Sequence, residues 1–454
     1  MAALRQLARD RIGRFLGGSM LKRFVIALGF VSLAWAQPPA YVALGDSLGE
    51  GVQSADASYR TQPYSYVNVI ATQLGANFPL PLIQDGPLTT VFSVKGRTRI
   101  DPTVATFDLA VSGADTSSIL TQAATTPIAN ETDLVLSPRT GTQIQIAESL
   151  QAPFMTCWIG SNDALSAILA FDKLDASQLT PVPVFAANYK QIVQSLTGWK
   201  TQVVFANVPN VIDVGFLFNN ADLTLFLGKD YGLPAGSYTT VVAMFLLKLG
   251  LAESTILQDP NWVLDASEVE TIESAIQQYN EIIAEQAAAV KMPVVDINSL
   301  LESINQSGIS FGSITLTTRY LGGMFSLDGV HPSDIGHAIV ANAFLEAANS
   351  AFNLNAPLLT TAQLSTILKQ DPFIDFQGNL KVRGRPYAGL LETLGPYLGI
   401  SGDLADGIMQ PGINAELGQR FMRNYFAATG RDPNTAWTRT DAVEAMRQIF
   451  RLQK

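Results

Sequence analysis

The sequence predicts an α/β protein: a three-layer α/β/α sandwich around a mainly parallel five-stranded sheet, followed by a small, mainly helical C-terminal extension. Three observations predict it. Short, near-continuous apolar runs recur along the chain, as expected of parallel strands covered on both faces rather than of a sheet with one wet face. Between them lie longer stretches with apolar residues at helical spacing. Of the 454 residues, 47 % are hydrophobic and only 15 % charged, too apolar for a disordered chain and sufficient for a large core.

The first segment reads as a leader. In "MLKRFVIALGFVSLAWAQ", Lys22 and Arg23 precede the apolar stretch Phe24 to Leu33, and Ala34 and Ala36 stand in A-x-A spacing. Cleavage is expected near Ala36, with Met20 a candidate true start and the mature chain exported to periplasm or medium. The apolar run is shorter than the roughly 20 residues of a stable membrane span. Next come the strand candidates: "YVALG" (41–45), "FDLAVSG" (107–113), "FMTCWIG" (154–160), "QVVFANV" (202–208) and "PVVDI" (293–297). Helix candidates cover 64–75, 185–196, 267–289 and 334–349, the third opening on the capping pattern Ser267-x-x-Glu270. Together these give a main domain over 37–350, with sites expected at the carboxyl ends of the strands.

Two stretches exceed that plan. Residues 213–262 are longer than a crossover requires and contain "VVAMFLLKLGLA", apolar almost all round. It reads either as a buried helix or as a lid or wall of an acyl-binding pocket. After a connector at 351–370, the extension 371–454 holds ten of the 29 basic and nine of the 39 acidic residues, a net of +1 against −11 elsewhere. Asp441-x-x-Glu444 opens a closing helix with Val443, Met446 and Phe450 inward. Packing back on the main domain is its expected role, and a partner-binding surface the alternative.

The net charge of −10, with no basic stripe, excludes nucleic acid as a partner. Cys157 is the only cysteine, so no disulfide forms within the chain and no Cys-based metal site exists. Inside an apolar strand it reads as buried and inert. No cofactor and no metal are expected, since no metal-ligand spacing is visible.

What chemistry there is sits at strand ends. Ser47, in "YVALGDSLGEG", follows the first strand in a turn whose glycines permit close backbone approach. As a nucleophile it would need a base, an orienting acid and oxyanion donors; as a plain strand-end serine it would cap the next helix. The chain has two histidines, His331 and His337. His331, in "DGVHPSD", follows Asp328 by three residues, close enough in a turn for the carboxylate to fix its tautomer, and Pro332 holds it extended. His337 lies within the following helix and reads as packed or surface. Gly113, in "AVSGADTSS", can offer a backbone N–H, and Asn162, in "WIGSNDAL", a side-chain amide. Alone they read as a turn glycine and an Asx turn. Asp46 and Asp163 read as loop anchors.

In this order the four stretches resemble the blocks of the GDSL, or SGNH, hydrolase family: "GDSL", "AVSGA", "GSND" and "DGVHP", over roughly residues 40–350. The resemblance implies a flavodoxin-like α/β/α fold and hydrolysis of acyl esters. It also implies Ser47 as nucleophile, His331 and Asp328 as base and acid, and Ser47 N–H, Gly113 N–H and Asn162 as the oxyanion hole. The expected activity is that of an esterase or lipase on a small-molecule or lipid ester of short to medium acyl chain. A carbohydrate acetylesterase or an acyltransferase on the same fold is the alternative, and a non-catalytic binding protein the alternative of another class. The insertion at 213–262 and the extension at 371–454 have no clear counterpart in small members. Oligomeric state is left open.

Overall fold

The computed structural model describes residues 39–84, 96–385, 394–399 and 411–450, all within the second of the two units, Met1–Gln37 and Pro38–Lys454, into which the chain divides. The expected leader to Ala36 and most of the Gly- and Pro-rich stretch 384–401 lie outside the described residues. The chain enters on β1 (Tyr41–Gly45) and turns straight into α1 (Ser47–Glu50). There follow α2 (Tyr66–Leu74), β2 (Phe154–Trp158), α3 (Ser161–Leu165), α4 (Val182–Leu196) and β3 (Gln202–Ala206). The insertion holds β4 (Leu217–Phe218), β5 (Tyr238–Thr240), α5 (Val241–Lys248) and β6 (Val263–Leu264). Then come α6 (Ala266–Ala289), β7 (Val294–Val295), α7 (Asp334–Phe352), α8 (Thr361–Gln370), α9 (Ala415–Ala428) and α10 (Arg439–Phe450). No described helix is long and apolar enough to cross a membrane.

The main sheet is parallel, in the order β1-β2-β3-β7, with Tyr41 opposite Phe154 and Gly45 opposite Trp158. Every residue of β1 and β2 is buried, which is why these strands are apolar without alternation. The sheet has four strands rather than the expected five. Residues 107–111 do run beside β1, with Ala43 N–H donating to Phe107 O (3.1 Å), Leu109 N–H to Ala43 O (2.8 Å) and Val111 N–H to Gly45 O (3.1 Å). Only one bridge forms, between Ala43 and Asp108. The N–H groups of Asp108 and Ala110 are taken by the Thr106 hydroxyl (3.0 Å) and the Asp108 carboxylate (3.2 Å). Short polar side chains here compete for the backbone, and they close the sheet edge.

α6 starts earlier than its expected cap. Asp265, not Ser267, accepts from the N–H groups of Ser267 (2.8 Å) and Glu268 (2.9 Å), while Glu268 accepts from Asp265 N–H (3.0 Å). An aspartate two residues upstream completes the reciprocal capping box, so it wins over the Ser267/Glu270 pair.

α5 is buried along its whole length, including Lys248, whose Nζ donates to Phe226 O (2.8 Å) and to Gly412 O (3.1 Å) in the extension. The connector contains α8, capped by Thr360 with Gln363. Beyond it α9 packs onto α5: Asn414 N–H donates to Lys248 O (2.7 Å) and the Asn414 side chain caps α9. In α10, Val443 and Met446 are buried as expected, and the Phe450 side chain lies outside the described residues.

Where α9 crosses, a Cβ on Gly418 would lie 1.9 Å from Leu249 O. A glycine-to-alanine change inside a helix ordinarily stabilises by about 0.5–1 kcal/mol. Here the carbonyl cannot give way, so Gly418→Ala is expected to cost about 1–3 kcal/mol as overpacking and to lower the thermal midpoint. A variant as stable as the parent would mean that α9 and α5 are not in this contact.

Candidate active site

β1 ends at Gly45, where a Cβ would meet Trp158 O at 2.5 Å, so only glycine lets β1 and β2 run this close at their carboxyl ends. Asp46 then caps α1, accepting from Leu48 N–H (3.0 Å), and sets Ser47 as the first helical residue. As read from the sequence, Asp46 is a loop anchor. Burial pushes its carboxyl up to about 7. Ser47 is 8 % exposed.

His331 arrives from 284 positions further along, on a tight turn. Gly329 N–H donates to Ser326 O (3.0 Å), and Ser326 N–H to His331 O (2.8 Å). His331 Nε2 lies 2.8 Å from Ser47 Oγ, and Nδ1 lies 2.6 Å from Asp328 Oδ2. The carboxylate can only accept, so Nδ1 carries the proton and Nε2 accepts from the serine hydroxyl. Asp328 also accepts from the N–H groups of Ala55 (2.6 Å), Val330 (2.8 Å) and His331 (2.9 Å). Burial alone would raise its pKa, but the His331 charge and these donors outweigh it and hold the carboxyl below the ordinary carboxylate range.

Ser47, Gly113 and Asn162 follow three neighbouring segments of the sheet: β1, the edge run 107–111, and β2. Asn162 Nδ2 donates to Ala114 O (2.8 Å), and Asp163 accepts from Thr116 N–H (2.9 Å) and Oγ1 (2.7 Å). α3 therefore grips the loop that carries Gly113. Gly113 has φ +79, and a Cβ there would meet nothing within 4 Å. Burial pushes Asp163 up to about 6.

His337 stays outside this constellation. It is fully buried, its Nδ1 accepts from Tyr66 N–H (3.3 Å), and burial pushes its pKa down to about 3, which keeps the ring neutral. Cys157 is buried and its thiol is pushed up by burial, as expected of an inert cysteine.

Several contributors had no signal in the sequence. Ser54 and Ala55 hold φ of 52° and 60°, an unfavourable left-handed pair that aims Ala55 N–H at Asp328, and Ser54 exchanges hydrogen bonds with Ser326 Oγ (2.8 Å) and Leu327 N–H (3.1 Å). Gln53 Nε2 donates to Asp334 Oδ1 (2.7 Å) at the start of α7. Arg385, from the extension, donates to both Gln53 Oε1 (3.1 Å) and Asp334 Oδ1 (2.5 Å), and its guanidinium lies over Tyr64 (4.5 Å). Asp371 accepts from Ile335 N–H (2.8 Å). Beside Ser47 lies an apolar cavity of about 30 Å³ lined by Leu48, Trp158, Val211, Val214, Phe325 and Val330, two of them from the 209–214 loop where the insertion begins.

The family model described as GDSL-like Lipase/Acylhydrolase matches residues 41–344. No curated protein matches the chain. The solved structures similar to it include the following three. An α/β hydrolase enzyme from the metagenome of Lake Arreo, Spain, is 11 % identical with TM-score 0.35, covering 68 % of this chain and 94 % of that one. An acetylxylan esterase from Geobacillus stearothermophilus is 14 % identical with TM-score 0.34, covering 68 % and 92 %. An extracellular lipase from Streptomyces rimosus is 18 % identical with TM-score 0.32, covering 68 % and 98 %.

Proposed function

Because the chain belongs to the GDSL-like lipase/acylhydrolase family and is a carboxylic ester hydrolase, we propose that it works through Ser47, His331 and Asp328 by way of an acyl-enzyme. The observation that carries this reading is the unbroken line of hydrogen bonds from Ser47 Oγ through His331 to Asp328, at 2.8 and 2.6 Å. As Ser47 Oγ attacks the ester carbonyl carbon, His331 Nε2 takes its proton, and Asp328 stabilises the imidazolium. The oxyanion is held by the N–H groups of Ser47 and Gly113 and by the Asn162 side chain. His331 then protonates the departing alcohol, activates water against the acyl-enzyme, and returns the proton to Ser47 as the acid leaves.

Asn162→Ala removes one of three donors and is expected to lower kcat by about 10² to 10³ with KM little changed. Steady-state kinetics on one good ester checks it. Full activity would remove Asn162 from the hole.

The acyl group is proposed to be short to medium, with the short end favoured. A cavity of about 30 Å³ has room for on the order of two waters, enough for a few carbons without rearrangement. Each buried methylene is worth about 0.8 kcal/mol, or about fourfold in kcat/KM, until the room runs out. A p-nitrophenyl series from acetate to palmitate should therefore rise over the first members and then fall. An optimum at palmitate would instead require the 213–262 segment to open as a lid, and activity confined to acetylated sugars would favour a carbohydrate acetylesterase. Export after cleavage near Ala36 belongs to the same proposal; N-terminal sequencing of the mature protein tests it.

A further inference from the structure

α1 carries Ser47 at its start and Glu50 at its end, and Glu50 is wholly buried. Its Oε2 accepts from both Ser112 N–H (2.7 Å) and Ser112 Oγ (2.6 Å), in the residue directly before Gly113. The rest of that turn is held as well: Val111 N–H donates to Gly45 O (3.1 Å) and Ala114 N–H to Val111 O (3.1 Å). Ser112 is thus fixed at its amide and at its hydroxyl by the helix that presents the nucleophile. One carboxylate sets the distance between the two loops.

Behind Glu50 stands a second buried carboxyl. Glu131 neighbours it, and Arg97 Nη1 pairs with Glu131 Oε2 (2.6 Å) while Arg97 Nη2 donates to Ala57 O (3.0 Å). Glu50 Oε1 and Glu131 Oε1 are buried with no donor among the described residues. A second negative charge is disfavoured beside another buried carboxyl in a dry site. Burial first, and then the charge of Glu50, push Glu131 well above the ordinary carboxyl range, against the pull of Arg97.

We propose that Glu50, backed by Glu131 and Arg97, is a positioning residue for catalysis that, by holding Ser112, aims the Gly113 N–H at the oxyanion. The proposal rests on Gly113 being an oxyanion donor and Ser47 the nucleophile. It deepens that reading by assigning the part that keeps the two in register.

The test compares Glu50→Ala, Glu50→Gln and Ser112→Ala for kcat, KM and the inhibition constant of butylboronic acid, whose tetrahedral serine adduct mimics the oxyanion. Glu50→Ala is expected to lose about 10- to 100-fold in kcat, less than outright deletion of a donor, with KM within about threefold. Boronate affinity should fall by a matching factor, which a loss of folded protein would not produce. Glu50→Gln should restore kcat to within about threefold, since its amide oxygen still accepts from Ser112 and its NH₂ donates to Glu131. Should Glu50→Ala fail to fold, Ser112→Ala decides: it keeps the amide bond, loses the hydroxyl bond, and should drop kcat and boronate affinity together by about three- to tenfold. A folded Glu50→Ala, or in its absence a Ser112→Ala, with parental kcat and boronate affinity would overturn the proposal, provided Ser47→Ala is inactive. An active Ser47→Ala would overturn the underlying reading instead.

Discussion

Replacing Ser47 with alanine is expected to lower kcat for any ester by a factor on the order of 10⁴ to 10⁶, the largest single effect in the molecule. The magnitude follows from what is lost. His331 keeps its Asp328 partner and its ring orientation, but no atom remains to form the acyl-enzyme, so only water held near the oxyanion donors can attack. The change removes one oxygen from a nearly buried site and breaks one hydrogen bond of 2.8 Å, so the fold should persist. Side chains arranged for chemistry are often slightly costly to stability, and the variant's thermal midpoint is expected at or above that of the parent. Hydrolysis of p-nitrophenyl acetate and stoichiometric labelling by a fluorophosphonate check it together. Label that persists in the variant would place the nucleophile elsewhere.

Asp328→Asn should cost nearly as much in rate and more in stability. The carboxylate accepts four N–H donors, from Ala55, Val330, His331 and the His331 ring. Asparagine offers one oxygen and turns an NH₂ toward the rest. If that NH₂ faces Nδ1, the imidazole must carry its proton on Nε2 and cannot accept from Ser47, a loss of about 10⁴ in kcat. Leaving buried donors unpaired costs about 1–3 kcal/mol each, so urea unfolding should shift to lower midpoint. The pH dependence has a defined sign. Because the folded Asp328 titrates below its unfolded value of 3.8, its contribution to stability is present above about pH 4 and is lost as pH falls through the folded value. The stability difference between parent and variant should therefore shrink on acidification. A difference that is constant down to pH 2 would mean that Asp328 is not the ionised acceptor.

Much of this site is legible in the order of amino acids alone, and the reason is distance along the chain. β1, β2 and β3 announce themselves because both faces of a parallel sheet are covered, leaving no polar alternation. Asp328 and His331 are three residues apart, so their pairing is a property of one turn. The run 107–113 has the same apolar look as its neighbours, yet Thr106 and Asp108 divert its outward backbone groups, a competition that hydrophobic pattern does not register. The supporting residues are illegible for a different reason. Glu50 meets Ser112 across 62 positions, Ala55 meets Asp328 across 273, and Arg385 meets Gln53 across 332. Glu50, Ala55 and Arg385 stand in none of the four blocks, and a left-handed φ at Ser54 and Ala55 violates residue preference. Such strain persists only because Asp328 and Ser326 wait on the other side.

The reach of Arg385 and Asp371 back to the start of α7 bears on how the protein comes into being. A chain is made from its N-terminus, and early parts fold as they emerge. Here the groups that steady the segment just after His331 are translated after the serine, the glycine, the asparagine and the histidine are all in place. Until they arrive, Asp334 is held by Gln53 and the amide of Ile335 lacks its Asp371 acceptor. A chain that stops short of residue 371 would carry the whole reactive set, its histidine turn still held by Ser54 and Ala55 but the start of α7 without its fastening from the extension.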